Sequence, residues 1–530
     1  MSKTKIIFIL VSVLVISFNS LPIVVGYATQ KDGLKYLGRR SVNSQDVYTY
    51  VAFIEQARQG RILFENLYMP EKQSPSLIRP SYLFIGTIAR LTGISSIFAY
   101  HLFRVLFSFL FCGVLYFFLK RFFEKDRDRL VAFTVILTSA GIGGLIVGMA
   151  PNSSDLWIPE SITFLSMAEA PHFILSQMLM LLGFMAYLLG TEKKRFRFYI
   201  LSAGCFLLLA LEHPFNLFVT GVVVGILVIY QFLYSKAEKA EVFLGSGLIL
   251  LVTALGIFYQ WLGTVSDPIL KSWMAGSSLP SPQGHNYLYG YGLLIIFALF
   301  GVEKALRERK FQYVLLLVWL AAGAVLLYSP FPFQRRFSEG LHIPLAIFAA
   351  TGILMASTLA ARFSIKVAQR YVFYIALGLV LLVLAITPVL QVANDISIIS
   401  SDSPQGYYYH LLSAEVEAIN YLGQVTTPKD IILSNWFYGN VIPGMIGRKV
   451  YLGHKVQTPF FDKKVEAMNK FLLEADPKKA EMFIRQAGFT YIFLGKNDTM
   501  LQYGFKPETK PYLKKIYGKD GVSIYKVVKY

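Results

Sequence analysis

The sequence predicts an α-helical polytopic membrane protein with a small C-terminal α/β domain outside the membrane. Three observations predict it. Of 530 residues, 55% are apolar and only 16% charged, against about 25% charged in a typical globular chain. The apolar residues fall in long runs of the kind that lets a helix cross a bilayer with every backbone group bonded internally. After about Val392 the pattern changes to mixed polar and apolar segments with no further span. This composition excludes disorder, a collagen-like chain and a disulfide scaffold, and it argues strongly against a soluble enzyme.

The apolar runs lie at roughly 5–26, 97–119, 130–150, 172–190, 198–234, 242–262, 288–302, 312–329, 341–360 and 371–391. The run 198–234 is too long for one span and breaks at Glu212-His213-Pro214, where proline removes a backbone donor. The expectation is therefore about eleven spans. The first run also suits a signal peptide, with Ser2-Lys3-Thr4-Lys5 ahead of an apolar core, and both readings stand. Cys112 and Cys205 lie inside apolar runs and read as small core residues.

The net charge of +19 fits nucleic acid, anionic lipid, or cationic loops on the inner membrane face. Its distribution decides. One set of short loops holds Lys120, Arg121 and Arg129; Lys193, Lys194, Arg195 and Arg197; Lys236 and Lys239; Lys304, Arg307, Arg309 and Lys310; Arg362, Lys366 and Arg370. The alternate loops are poor in cations: none in 151–171, Lys271 alone in 263–287, and Arg335 with Arg336 in 330–340. The positive-inside rule then predicts a cytoplasmic N-terminus and an extracytoplasmic C-terminal domain, and removes nucleic acid as a partner. The expected domains are 1–391, with a large outer loop at 27–96, and 392–530.

Three outer segments carry the polar chemistry. In 27–96, Val47, Tyr50, Val51, Ile54 and Ala57 line one helix face. Ser44 or Asp46 is expected to cap its start, and Gln59-Gly60 to stop it. A second helix, following Arg79-Pro80 and ending near Thr92-Gly93, is expected at the outer interface. Segment 151–171 gathers Asp155, Glu160 and Glu169, followed by His172, without a lysine or arginine. Uncompensated acids at a membrane surface face bulk water or hold a cation. Arg335-Arg336 breaks the charge rule. Its two readings are bidentate phosphate binding, and a lipid-headgroup anchor or ion pairs to Glu339.

In order and spacing, these elements resemble the C-type glycosyltransferase superfamily: multi-span enzymes that take a sugar from a polyprenyl phosphate. Asp46-Val47-Tyr48-Thr49-Tyr50 occupies the place of the family's Asp-Glu motif. Gln56-Ala57-Arg58-Gln59-Gly60-Arg61 resembles the helix ending in Gly, and Arg79-Pro80-Ser81-Tyr82 the His-Pro-Pro-Leu element. Leu91-Thr92-Gly93-Ile94, Tyr100-His101-Leu102-Phe103-Arg104 and Leu211-Glu212-His213-Pro214 resemble later steps of the pattern in the branch of protein mannosyltransferases and aminoarabinose transferases. The resemblance covers roughly residues 1–391. It departs at Val47, where the family has its second acid, and at Arg79.

The resemblance implies transfer of a hexosyl or pentosyl group from a polyprenyl-phosphate sugar to an acceptor at the outer face of the cell membrane. A base must reach the acceptor nucleophile, and positive charge must meet the leaving phosphate. Asp46 is implied as base or metal ligand, its plainer reading being a helix cap. Asp155, Glu160 and His172 are candidates for an acceptor site or a Mg or Mn site. Asp155 also reads as a turn cap and His172 as a helix-start residue. Arg335, Arg336 and Arg104 are the candidates for the lipid phosphate. Glu212 and His213, in the break between spans, are accessory candidates, with mutual pairing as the plainer reading. Two alternatives remain: a transporter or flippase of lipid-linked glycans, and a non-catalytic protein with a degenerate core of this type. Gly141-Ile142-Gly143-Gly144 reads as helix packing, and Tyr407-Tyr408-Tyr409 as an interfacial belt.

In 392–530, helices are expected at Ser413–Leu422, Lys464–Leu473 and Pro477–Gln486, and strands at 430–434, 449–452, 491–494 and 522–525. Asn435 follows a strand, where α/β loops place ligand groups. His454 belongs to a second polar cluster with Gly444, Gly447-Arg448 and Gly453.

Overall fold

A computed structural model describes residues 2–73, 78–234, 239–266, 271, 278–366, 368–402, 406, 408–496, 498–502 and 504–528. Tyr407, Lys236 and most of the segment around Lys271 lie outside these residues. The chain forms two compact units. The first comprises Met1–Pro22, Phe103–Leu262 and Leu279–Ser397, and the second Ile23–Leu102, Gly263–Ser278 and Ile398–Tyr530.

The protein is a helical membrane protein. By length and composition, six helices among the described residues can cross a bilayer. They are Lys3–Ala28, Ser96–Leu119, Pro171–Lys193, Asn216–Tyr234, Ala240–Gly263 and the helical stretch Gln334–Arg362. Two pairs, Gly284–Tyr291 with Leu293–Glu308 and Gln369–Leu384 with Ile386–Ile399, bend by 83° and 44° and raise the number to eight if each pair is one span. The other expected spans appear as shorter helices, Asp126–Thr138, Phe196–Glu212 and Phe311–Leu326. Large apolar side chains face outward, such as Leu14, Val325 and Leu382. A lipid solvent leaves no reason to bury them.

In the first unit, Leu293–Glu308 packs on His342–Arg362. A Cβ at Gly301 would run into the carbonyl of Phe348, and one at Gly352 into the carbonyl of Phe297. Small residues let these helix backbones meet without intervening side chains. Cys112 and Cys205 are buried free thiols.

The expected span at 130–150 is corrected. The helix ends at Thr138, and 139–150 runs on as irregular chain. The reading of Gly141 to Gly144 as helix packing changes with it. Ile142 N–H donates to Tyr289 O, Gly143 N–H to Asp155 Oδ2 at 3.1 Å and Gly144 N–H to Thr387 Oγ1 at 3.0 Å. The glycines let this loop pass close over Asp155: a Cβ on Gly143 would collide with its carboxylate.

The second unit contains the C-terminal sheet and the first loop. Strands are β1 (Leu34–Tyr36), β2 (His410–Leu412), β3 (Ile431–Leu433), β4 (Lys449–Val450), β5 (Tyr491–Leu494), β6 (Leu513–Lys519) and β7 (Val522–Val527). β1 pairs antiparallel with β2. The other five form a sheet of order β4-β3-β5-β7-β6, with β3 parallel to β4 and β5, and β7 antiparallel to β5 and β6. Asp520-Gly521, both at positive φ, closes the β6–β7 hairpin as a two-residue turn matched to strand twist. The expected C-terminal helices are present as Ser413–Val425, Phe461–Leu473 and Pro477–Ala487. Helix Asp46–Arg58 packs its buried face on Pro80–Thr92, where a Cβ on Gly86 would meet the Ile54 carbonyl. Its start is not capped as expected: Gln45 holds the cap position without a side-chain bond, and Asp46 is the first helical residue. Tyr408, expected in an interfacial belt, instead packs its ring against Trp436 and Phe437.

Asp155 is fully buried, and burial pushes its carboxyl up to about 6. A raised value favours the folded state when the group is protonated. The contribution is therefore full below the ordinary aspartate value near 4 and is lost as pH rises through about 6, a swing of about 2–3 kcal/mol. In thermal unfolding of the detergent-solubilised protein, the midpoint should fall as pH rises across this window. Asp155→Asn should flatten that dependence. Gly143→Ala should lower the midpoint at every pH.

Candidate functional site

The second unit brings together Asp46 and His454, which are 408 residues apart. Helix Asp46–Arg58 sets Asp46 in its first turn, where the helix dipole favours a carboxylate. His454 follows β4 in the loop after Leu452-Gly453. The backbone amides of Val456 and Gln457 donate to its Nδ1 at 3.1 and 3.2 Å. Nδ1 therefore carries no proton, so the ring's proton lies on Nε2 and is donated to Asp46 Oδ1 at 2.6 Å. His454 is buried, with 5% of its side chain exposed, while Asp46 keeps 34%. The carboxylate is thus oriented from within and reachable from outside. Tyr68, which the sequence reading missed, sets its ring edge-on to His454 at 6.2 Å. Burial pushes its hydroxyl far above the ordinary tyrosine value, so it remains a donor.

Asn435, in the same unit, is a helix cap. Its side-chain oxygen accepts from Phe437 N and Tyr438 N at the start of Trp436–Ile446, a helix not foreseen from the sequence.

In the first unit, the acids of 151–171 do have partners. Glu160 is buried and pairs with Arg336 Nη1 at 2.8 Å. Arg335 sets its guanidinium over the Trp157 ring at 4.7 Å. Asp155 accepts from Ser153 Oγ at 2.5 Å as well as from Gly143. Glu339, read as a possible partner of the arginines, instead accepts from Ser176 and pairs with His213. His213 thus takes Glu339 as partner, where Glu212 had been the plain reading; Glu212 itself is buried. His172 begins Pro171–Lys193 and packs its ring on Phe173 at 4.2 Å and near His213 at 5.7 Å. Ser176, a small hydroxyl in an apolar run, gave no signal in the sequence. Arg104 is buried and donates to Asn19 Oδ1, Met167 O and Ser20 Oγ at 2.9–3.0 Å, so its guanidinium holds the helix contacts around it.

These donor sets do not fit a metal. Asp155 is turned to Gly143 and Ser153, and Glu160 to Arg336. Among the described residues no three His, Cys, Asp or Glu side chains gather as ligands.

No family model and no curated protein matches the sequence. Solved structures do match in fold. AglB, the oligosaccharyltransferase of Archaeoglobus fulgidus, in complex with an inhibitory peptide and a dolichol-phosphate, aligns with a TM-score of 0.54 at 14% identity, over 91% of this chain and 69% of that one. The A. fulgidus oligosaccharyltransferase tethered with an acceptor peptide containing the NVT sequon aligns at 0.53 and 13% identity, with the same coverage. ArnT from Cupriavidus metallidurans, bound to undecaprenyl phosphate, aligns at 0.51 and 14% identity over 97% of both chains. The chain has the fold of these structures.

Proposed function

We propose that the protein is a membrane glycosyltransferase that moves a sugar from a polyprenyl-phosphate carrier to an acceptor on the outer side of the cell membrane. The observation that carries this reading is the Asp46–His454 pair: a partly exposed carboxylate, held by a buried imidazole, at the position where the C-type pattern has its acidic motif. The fold, shared with structures bound to dolichol-phosphate and undecaprenyl phosphate, supports the carrier class.

In this reading Asp46 is the general base. It takes the proton of the acceptor nucleophile as that nucleophile bonds to the sugar's anomeric carbon and the bond from this carbon to the carrier phosphate oxygen breaks, the polyprenyl phosphate leaving. His454 keeps the carboxylate in one orientation and supplies a hydrogen bond to its charged form. Arg335 and Arg336 are the residues proposed to stabilise the leaving phosphate. Arg336 is neutralised in part by Glu160, so Arg335 is the stronger candidate. The alternation of cationic loops supports a cytoplasmic N-terminus and an extracytoplasmic C-terminal region.

The test is incubation of purified protein with polyprenyl-phosphate sugars and candidate acceptors, reading release of the carrier phosphate. Asp46→Asn should lower kcat by about 10²–10⁴-fold. Equal turnover by the variant and the wild type would remove Asp46 from catalysis. His454→Ala should cost about tenfold or more in kcat through lost orientation of Asp46. Arg335→Gln should raise KM for the carrier about ten- to a hundredfold, the loss of one charge-assisted hydrogen bond. An unchanged KM would remove Arg335 from phosphate binding.

A further inference from the structure

Arg39 is completely buried. Its Nη2 donates to Asn440 Oδ1 at 2.8 Å, and its guanidinium lies 4.7 Å from the Tyr48 ring centroid, 5.3 Å from Tyr408 and 5.9 Å from Phe437. Among the described residues no carboxylate pairs with it, and its Nε and Nη1 have no hydrogen-bond partner. Burying a guanidinium without a counter-ion costs several kcal/mol, which cation–π contacts offset only in part. Its presence is not explained by stability. What it does is fix Asn440.

Asn440, on helix Trp436–Ile446, is a common anchor for both members of the Asp46–His454 pair. Arg39 is donor-only, so the amide must turn its oxygen to Arg39 and its nitrogen the other way. Nδ2 donates to Gln45 O at 3.1 Å. Gln45 is the residue before Asp46, at a helix start with no side-chain cap. The backbone carbonyl of Asn440 accepts from Tyr68 Oη at 3.0 Å, and the Tyr68 ring abuts His454. One side chain thus sets the peptide preceding Asp46, and its own carbonyl sets the ring beside His454.

We infer that Arg39 and Asn440 are positioning residues that hold Asp46 and His454 in register, an inference that rests on the proposed role of Asp46 as base. Both act on the pair through the Gln45 peptide and Tyr68. The relay combines an orienting cation, an amide of fixed sense and a helix start.

Two substitutions separate this role from plain structural support. Asn440→Asp keeps an acceptor for Arg39, gives the buried guanidinium a carboxylate, and loses the donor to Gln45. Asn440→Ala loses both links in a helix that alanine suits. Asn440→Asp is expected to keep or raise the thermal midpoint while kcat falls at least tenfold and KM for the carrier stays within about twofold. Asn440→Ala is expected to lose as much kcat with a lower midpoint. Wild-type kcat in Asn440→Asp would overturn the inference, because activity would then follow stability alone. With only seven histidines in the chain, selective ¹⁵N-histidine labelling gives a readout that needs no substrate: the His454 Nε2 resonance should shift in Asn440→Asp, and an unchanged resonance would also overturn the inference. Asp46→Asn, assayed beside them, separates the two ideas. If Asp46→Asn is fully active, the base reading fails, while the resonance still reports on the relay.

Discussion

The hydrogen bond from His454 to Asp46 is the constraint around which the second unit is arranged. A carboxylate in a helix's first turn is stabilised by the dipole but free in rotamer. The imidazole removes that freedom, and two backbone amides fix the imidazole in turn. Those amides belong to the loop after β4, whose position follows from parallel pairing with β3. Helix Asp46–Arg58 is itself held by packing on Pro80–Thr92 and on Trp436–Ile446, where a Cβ on Gly444 would press on Tyr48. Sheet, loop and helix therefore meet at a single bond between side chains, which leaves part of Asp46 exposed.

The first unit solves a different problem: carrying acids buried away from water. Each buried acid whose contacts are described is matched by different means. Glu160 takes a guanidinium, Glu339 takes an imidazole and a hydroxyl, and Asp155 takes a backbone amide and a hydroxyl with a raised proton affinity. An unpaired charge in such surroundings would cost several kcal/mol. Asp155 is matched by near neighbours in the chain, whereas Glu160 is compensated by a residue 176 positions away.

Much of the fold was legible because its causes are local. Hydropathy marks a span, proline and the pair Glu212-His213 mark a break, and the positions of lysine and arginine mark the loops. The run at 130–150 misled for a physical reason: apolar residues and glycines also describe a tight loop over a buried carboxyl, and composition does not distinguish the two. β6 was missed although Asp520-Gly521 signals a two-residue hairpin turn; the lysines at 514, 515 and 519 masked the alternation of an edge strand. At the candidate site, Asp46 and His454 were each singled out, but nothing in the chain says that they touch. Arg39 was invisible because the first loop holds many cations, and only burial separates it from the rest. Asn440 sits in a helix that Gly439, Pro443 and Gly444 disguise as a turn.

The crossing of Leu293–Glu308 with His342–Arg362 has a consequence for how the protein meets its bilayer. At Gly301 and Gly352 each backbone faces a carbonyl of the other helix. There is no side chain at that point to change rotamer. When the hydrocarbon thickness of the membrane varies, a helix adapts by tilting or by shifting its interfacial side chains. These two helices have no repacking available at their crossing, so they must tilt as one body. Gln334–Ser338, which carries Arg335 and Arg336, lies directly before the second of them. The setting of those arginines is thereby tied to the tilt of the helix pair, and so to the thickness of the surrounding lipid.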